Sequence, residues 1–157
     1  MRKLIDNPRS TEFYLERYKY ILQQINASNE NVYRFLALYQ SLATGIFGAG
    51  LLLFVSFREW GISAGVAHAA LIGLLCLMTI VASFTTLLVI SGLLSWLDYR
   101  REECVLTEEL FGPGFREPPR ISNFYRWNET YIICFVLMST VFAWLLVLRF
   151  AIPNMAE

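Results

Sequence analysis

The chain has 157 residues with 13 basic and 13 acidic side chains, a formal net charge of zero that supplies no positive excess for a nucleic-acid backbone. Apolar residues make up 56% and charged ones 17%, with a mean hydropathy of +0.47, more apolar than the core of a soluble domain requires. Cys76, Cys104 and Cys134 are odd in number and lie in or beside apolar runs, which argues against a disulfide framework and suits small core hydrophobes.

These features predict an all-α integral membrane protein with three transmembrane helices, an N-terminal amphipathic helix and a cytosolic helical extension of the second span. Residues 1–35 read as the cytosolic amphipathic helix. Arg2, Lys3 and Arg9 have no apolar run behind them, so this is not a signal-peptide pattern. Ser10 or Thr11 can cap the helix, with Glu12 and Glu16 near its positive end. Apolar positions recur at Tyr14, Tyr18, Ile21, Ile25, Val32, Phe35, Tyr39 and Leu42, a heptad seam whose one gap is Ser28. Lys19, Gln23, Gln24, Asn26, Asn29 and Glu30 fall between seam positions as a solvated face, and Glu30 is spaced to pair with Arg34. Such a seam packs on its own chain or on another one. Tyr18, Ile21, Ile25 and Val32 are therefore the candidate face for a soluble cytosolic partner.

The first span is expected over 36–57. Ser41, Gly45 and Ala49 form an i,i+4 row, with Thr44 and Gly48 on the adjacent row. Hydrocarbon provides no hydrophobic drive between helices, so small side chains that let backbones approach are what associate spans, within one chain or between copies. Arg58, Glu59 and Trp60 close the span with a charged and aromatic edge, and a loop through Gly61 and Gly65 leads back.

The second span, 66–97, contains no proline, and its only ionisable side chains are His68 and Cys76. About 20 residues cross a bilayer, and this run is longer but has no polar turn, so one helix must leave the bilayer and continue in water to about residue 111. His68, Thr79, Ser83 and Thr86 share an arc of about 60° on it, a polar stripe that either lines a pore in an oligomer or glues helices together. Below the membrane Arg101, Cys104 and Glu108 continue the stripe, and Glu102, Glu103, Glu108 and Glu109 read as a solvated acidic face.

Gly112, Pro113 and Gly114 stop the helix. Residues 112–130 are expected as a cytosolic or interfacial loop with a short helix capped by Ser122. Arg116, Arg120, Arg126 and Trp127, together with Arg100 and Arg101, suit the lipid headgroup layer. Seven acidic against five basic residues over 98–130 argue against single-stranded nucleic acid there. The third span is expected over 131–152, ending with Arg149 and Pro153.

Lys and Arg number six in 1–35 and five in 98–130, against Arg58 alone in the first loop and Arg149 alone at the end. The positive-inside rule then places this multi-pass chain in a plasma (inner) membrane with a cytosolic N-terminus and the C-terminus outside. Two glycosylation sequons, at Asn26 and Asn128, fall on the cytosolic side and read as chance. The sequence carries no phosphate-binding glycine loop, no zinc-type spacing and a single histidine, so neither an enzyme nor a cofactor is expected. An odd number of spans without intramembrane charge disfavours a transporter.

The small-residue row and the polar stripe point to a non-enzymatic homo-oligomer, pore-forming or membrane-perturbing, controlled by its cytosolic helices. The build, a cytosolic amphipathic helix feeding small-residue spans with a helical cytosolic insertion, resembles that of small bacterial membrane effectors, some of them in antiviral defence. The alternative is an anchor or scaffold recruiting a soluble partner through the heptad face around Tyr18, Ile21 and Ile25 or through the acidic helix near Glu108.

Overall fold

The computed structural model describes residues 8–112 and 114–155. Among these the chain is helical, with three helices long and apolar enough to cross a membrane: α1 (Pro8–Ser56), α2 (Ala64–Phe111) and α3, which begins at Asn128 and runs to Leu146. A 3-10 helix, Ile121–Arg126, precedes α3, and a π turn, Val147–Ala151, prolongs it into a last turn, Ile152–Met155.

At 49 and 48 residues, α1 and α2 are each roughly 70 Å long, more than twice the thickness of a bilayer core. Both therefore combine an apolar half with a polar half, and no breaker separates the two. They fold back on each other through residues 57–63. Ile62 N–H bonds to Phe57 O at 2.9 Å and Gly61 N–H to Arg58 O at 3.1 Å, the paired bonds of a Schellman motif, with Gly61 at φ 66° as its left-handed residue. Ile62 packs on Phe57, and Ser63 caps α2 by accepting from Val66 N–H.

The two helices then run antiparallel with one register throughout: Gly50 against Leu71, Tyr39 against Ala82, Val32 against Val89, and Ser28 against Gly92. α3 lies beside both along the apolar half, where Val136 joins Tyr39 and Ala82, and Ile132 joins Val32 and Val89. Beyond that level α1 and α2 continue as a stalk whose core is Ile21, Ile25 and Leu106. Within the heptad seam of α1, Ile21, Ile25, Val32 and Tyr39 are thus buried inside the chain, Tyr14, Tyr18 and Phe35 are half-buried, and Leu42 is exposed. Ser28, the gap in that seam, donates a 2.8 Å hydrogen bond to Gly92 O, so the gap is filled by a polar link between the helices.

Several boundaries differ from those read in the sequence. α1 begins at Pro8, a residue whose fixed φ and missing N–H suit a first turn, so the helix starts before Ser10 and Thr11. α2 begins at Ala64, two residues early, because Ser63 supplies the cap. Ser122 lies within the 3-10 turn, and extended Trp127 (φ −88°, ψ 137°) separates that turn from α3. Pro153 does not end the third helix: Ile152 N–H reaches back to Val147 O, a π turn that widens the helix where the proline ring would otherwise crowd the carbonyl of Arg149. Arg2 and Lys3, which enter the orientation count, and Pro113, part of the expected breaker, lie outside the described residues.

A Cβ added at Gly92 would sit 3.4 Å from Val32 Cγ2 and 3.9 Å from Ser28 Oγ. Gly92→Ala is therefore expected to be tolerated, whereas Gly92→Leu should force the helices apart and destabilise the hairpin by about 1–3 kcal/mol, read as a fall in unfolding temperature in detergent. Equal stability of the two variants would contradict this register.

Candidate functional site

Three regions carry the polar and small side chains that distinguish this bundle from plain apolar packing. The first is the outward side of α1. Ser41, Thr44, Gly45, Gly48 and Ala49 are all exposed, and among the described residues nothing beyond the adjoining turns of α1 lies within 4 Å of where a Cβ would stand on Gly45 or Gly48. The glycine of α1 that another helix does approach is Gly50, whose added Cβ would lie 3.5 Å from Leu71 Cδ2. Packing inside the chain uses Tyr39, Ala43 and Ile46, the opposite side of α1. Gln40 also faces outward, one turn before Thr44, and its amide makes no hydrogen bond among the described residues. The sequence reading passed over Gln40; its signal was an amide inside an apolar run, in line with Thr44 and Gly48.

The second region is the polar stripe of α2, which the structure divides. Thr79 Oγ1 accepts from Trp144 Nε1 at 3.0 Å and donates to Leu75 O, joining α2 to α3. Thr86 donates to its own i−4 carbonyl, Ala82 O, the inexpensive way for a threonine to sit in an apolar helix. Ser83 and His68 are exposed. The stronger polar hub of the apolar half is one that apolar periodicity concealed. Tyr39, 1% exposed, brings its hydroxyl to 2.6 Å from Ser139 Oγ and 3.3 Å from Val136 O, tying α1 to α3. An open apolar groove of about 160 Å³ lies between α1 and α3 near the turn, bordered by Gly50, Phe54, Leu71, Met78 and Phe150.

The third region is the polar end. Glu103 was read with Glu102, Glu108 and Glu109 as a solvated acidic face. Glu108 and Glu109 are exposed, but the Glu103 side chain is completely buried. One carboxylate oxygen pairs with Arg100 and the other with Arg116 at 2.5 Å, so Arg100 and Arg116 turn toward Glu103. Glu102 pairs with Arg17 of α1, with Arg17 Nε at 2.9 Å. That pair is exposed and stabilises only weakly. Arg101 lies 3.7 Å from Asp98, and Arg120 lies 3.1 Å from Glu117. Arg126 is exposed and has no ion-pair partner among the described residues. Trp127 meets Trp96 edge to face at 6.1 Å.

The return segment between α2 and α3 is thereby held to α2 at three points: Arg116 on Glu103, Glu117 O accepting from Cys104 Sγ at 3.6 Å, and Trp127 on Trp96. At its end Asn128 Nδ2 donates to Tyr33 OH at 3.4 Å. On the stalk, a hydrogen bond with Tyr20 holds the Tyr99 phenol above its usual range. Among the described residues no three His, Cys, Asp or Glu side chains gather as a metal-binding group.

The partner-face residues Tyr18, Ile21, Ile25 and Val32 are covered by α2 to different degrees, Tyr18 half-buried and the other three buried. A soluble partner reaches that face only if the hairpin opens.

No family model, curated protein or solved structure matches this chain.

Removing one partner of a buried ion pair strands the others. Glu103→Ala leaves Arg100 and Arg116 facing each other without their shared carboxylate and should destabilise the polar end by about 2 kcal/mol, below the fully buried range because both arginines are partly solvated. Hydrogen exchange should rise over 100–127 while the apolar half stays protected. Unchanged exchange there would contradict the clasp.

Proposed function

We propose that the chain is a non-enzymatic, multi-span membrane protein whose copies assemble through the outward side of α1, with the polar end in the cytosol. The observation that carries this reading is the open space around Gly45 and Gly48. Small residues crowd one side of an apolar helix, yet among the described residues no other helix approaches Gly45 or Gly48. Glycine in a helix is less favourable than alanine by about 1 kcal/mol, so two glycines with nothing packed on them suit a helix that must be approached closely by something else.

Gln40 strengthens the reading. An amide facing hydrocarbon without a partner is costly, and a second copy supplies an acceptor and donor, worth about 1–2 kcal/mol in model helices and less in folded membrane proteins. Orientation follows the Lys and Arg count, which puts the stalk and the return segment on the cytosolic side. In such an assembly the two residues of the polar stripe that remain outward on α2, Ser83 and His68, are available to face a neighbour or a wet lumen, in keeping with a pore-forming or membrane-perturbing effector controlled from the stalk. In the scaffold alternative the heptad face lies against α2, while the acidic helix face at Glu108 and Glu109 stays exposed for a partner.

Isoleucine at both Gly45 and Gly48 should shift the protein from oligomer to monomer in lipid particles, weakening association at least about tenfold, or about 1.4 kcal/mol. Leu145→Ile, on the exposed side of α3, should leave the oligomer intact. Oligomer mass and effector activity unchanged by the double substitution would refute the reading.

A further inference from the structure

The 3-10 helix Ile121–Arg126 is an anomaly for a segment outside the apolar helices. None of its residues is buried, although three of the six are large apolar or aromatic: Ile121 is 60% exposed, Phe124 56% and Tyr125 57%. It is nevertheless not a free loop. The clasp of Arg116 on Glu103 holds one side of it, and the Trp96–Trp127 contact holds the other. Arg120 precedes it and is paired with Glu117, while Arg126 at its end has no ion-pair partner among the described residues.

We propose that this segment is a foot that lies on the bilayer surface, with Ile121 and Phe124 in the outer hydrocarbon and Arg126 on an anionic lipid headgroup. The bilayer is the one partner whose position is fixed by the chain itself. Arg126 is two residues from Asn128, where α3 begins, so it lies within about 7 Å of the end of a helix apolar enough to cross a membrane. Exposed Tyr33, whose hydroxyl accepts from Asn128, and exposed Tyr131, one turn into α3, sit beside the Trp127–Asn128 junction, a grouping that suits the aromatic belt of a membrane-water boundary. Charge agrees with this occupant: the unpaired cation is at the end adjoining the span, where a headgroup phosphate sits, and near a surface one arginine is worth about fivefold in binding. The proposal rests on α3 lying in a membrane and is independent of self-association.

The test is native mass spectrometry of the full chain released from nanodiscs containing equal phosphatidylglycerol and phosphatidylcholine. The wild-type protein should retain phosphatidylglycerol preferentially; Arg126→Gln should lower that preference about fivefold and Arg126→Lys should largely keep it. Phe124→Ser should reduce retention of both lipids, and since Phe124 is exposed the fold is not at stake. Absence of preference in the wild-type chain, or preference unaffected by Arg126→Gln, overturns the proposal. So does a change of assembly mass in Phe124→Ser without a change in lipid retention, because a second copy would then be what covers the segment. A chain that does not enter the nanodisc at all overturns the membrane placement along with the foot, whereas entry without lipid preference defeats the foot alone.

Discussion

The antiparallel register between α1 and α2 is the constraint on which the rest of the structure depends. It is set at the turn by a Schellman motif around Gly61 and again at Gly92, where a missing side chain lets Ser28 reach the opposite backbone. Because both helices are continuous, the register fixed in the apolar half is carried into the stalk without slack. It brings Arg17 to Glu102 and Ile21 and Ile25 to Leu106. A slip of one residue would turn the seam about 100° and expose Ile21, so apolar packing and the Ser28 bond select the same alignment.

That alignment divides α1 into two sides with different duties. The side holding Tyr39, Ala43, Ile46 and Gly50 makes the contacts of the three-helix bundle, and Tyr39 fastens α3 with a hydroxyl hydrogen bond. The side holding Gln40, Thr44, Gly45 and Gly48 is exposed, and among the described residues no other helix approaches its two glycines. At the polar end, Glu103 plays a comparable organising role. One buried carboxylate gathers an arginine from its own helix and another from the return segment, so the entry into α3 is tied to the stalk. A buried ion cluster of this kind contributes little net stability but disfavours alternative placements of the segment it holds.

The apolar runs made the long helices legible in the sequence, including the passage of α2 out of its apolar half and the stop at Gly112, because hydropathy and the absence of breakers act locally. The heptad seam of α1 was legible for the same reason, but whether it met its own chain or another could not be read from periodicity. The partner of a face is a tertiary fact, and the signal that decides it here, Gly92 opposite Ser28, lies 64 residues away. Tyr39 was hidden among apolar positions because a tyrosine ring satisfies the same pattern whether or not its hydroxyl finds Ser139. Glu103 was hidden in a run of four glutamates, although Arg100 at i−3 already marked it as the one spaced for a partner on its own helix. The π turn before Pro153 has no signal in a sequence where proline ordinarily ends a helix, and only the widened bond from Ile152 to Val147 shows how the helix continues.

The central claim is that the unpartnered side of α1 is completed by another copy of the chain. The most direct measurement is the mass of the wild-type protein in a native-like lipid particle by native mass spectrometry. A defined multiple of the 18.1 kDa chain is the result the account predicts. A single 18.1 kDa species at concentrations that saturate the lipid would contradict it and leave Gly45 and Gly48 facing lipid alone.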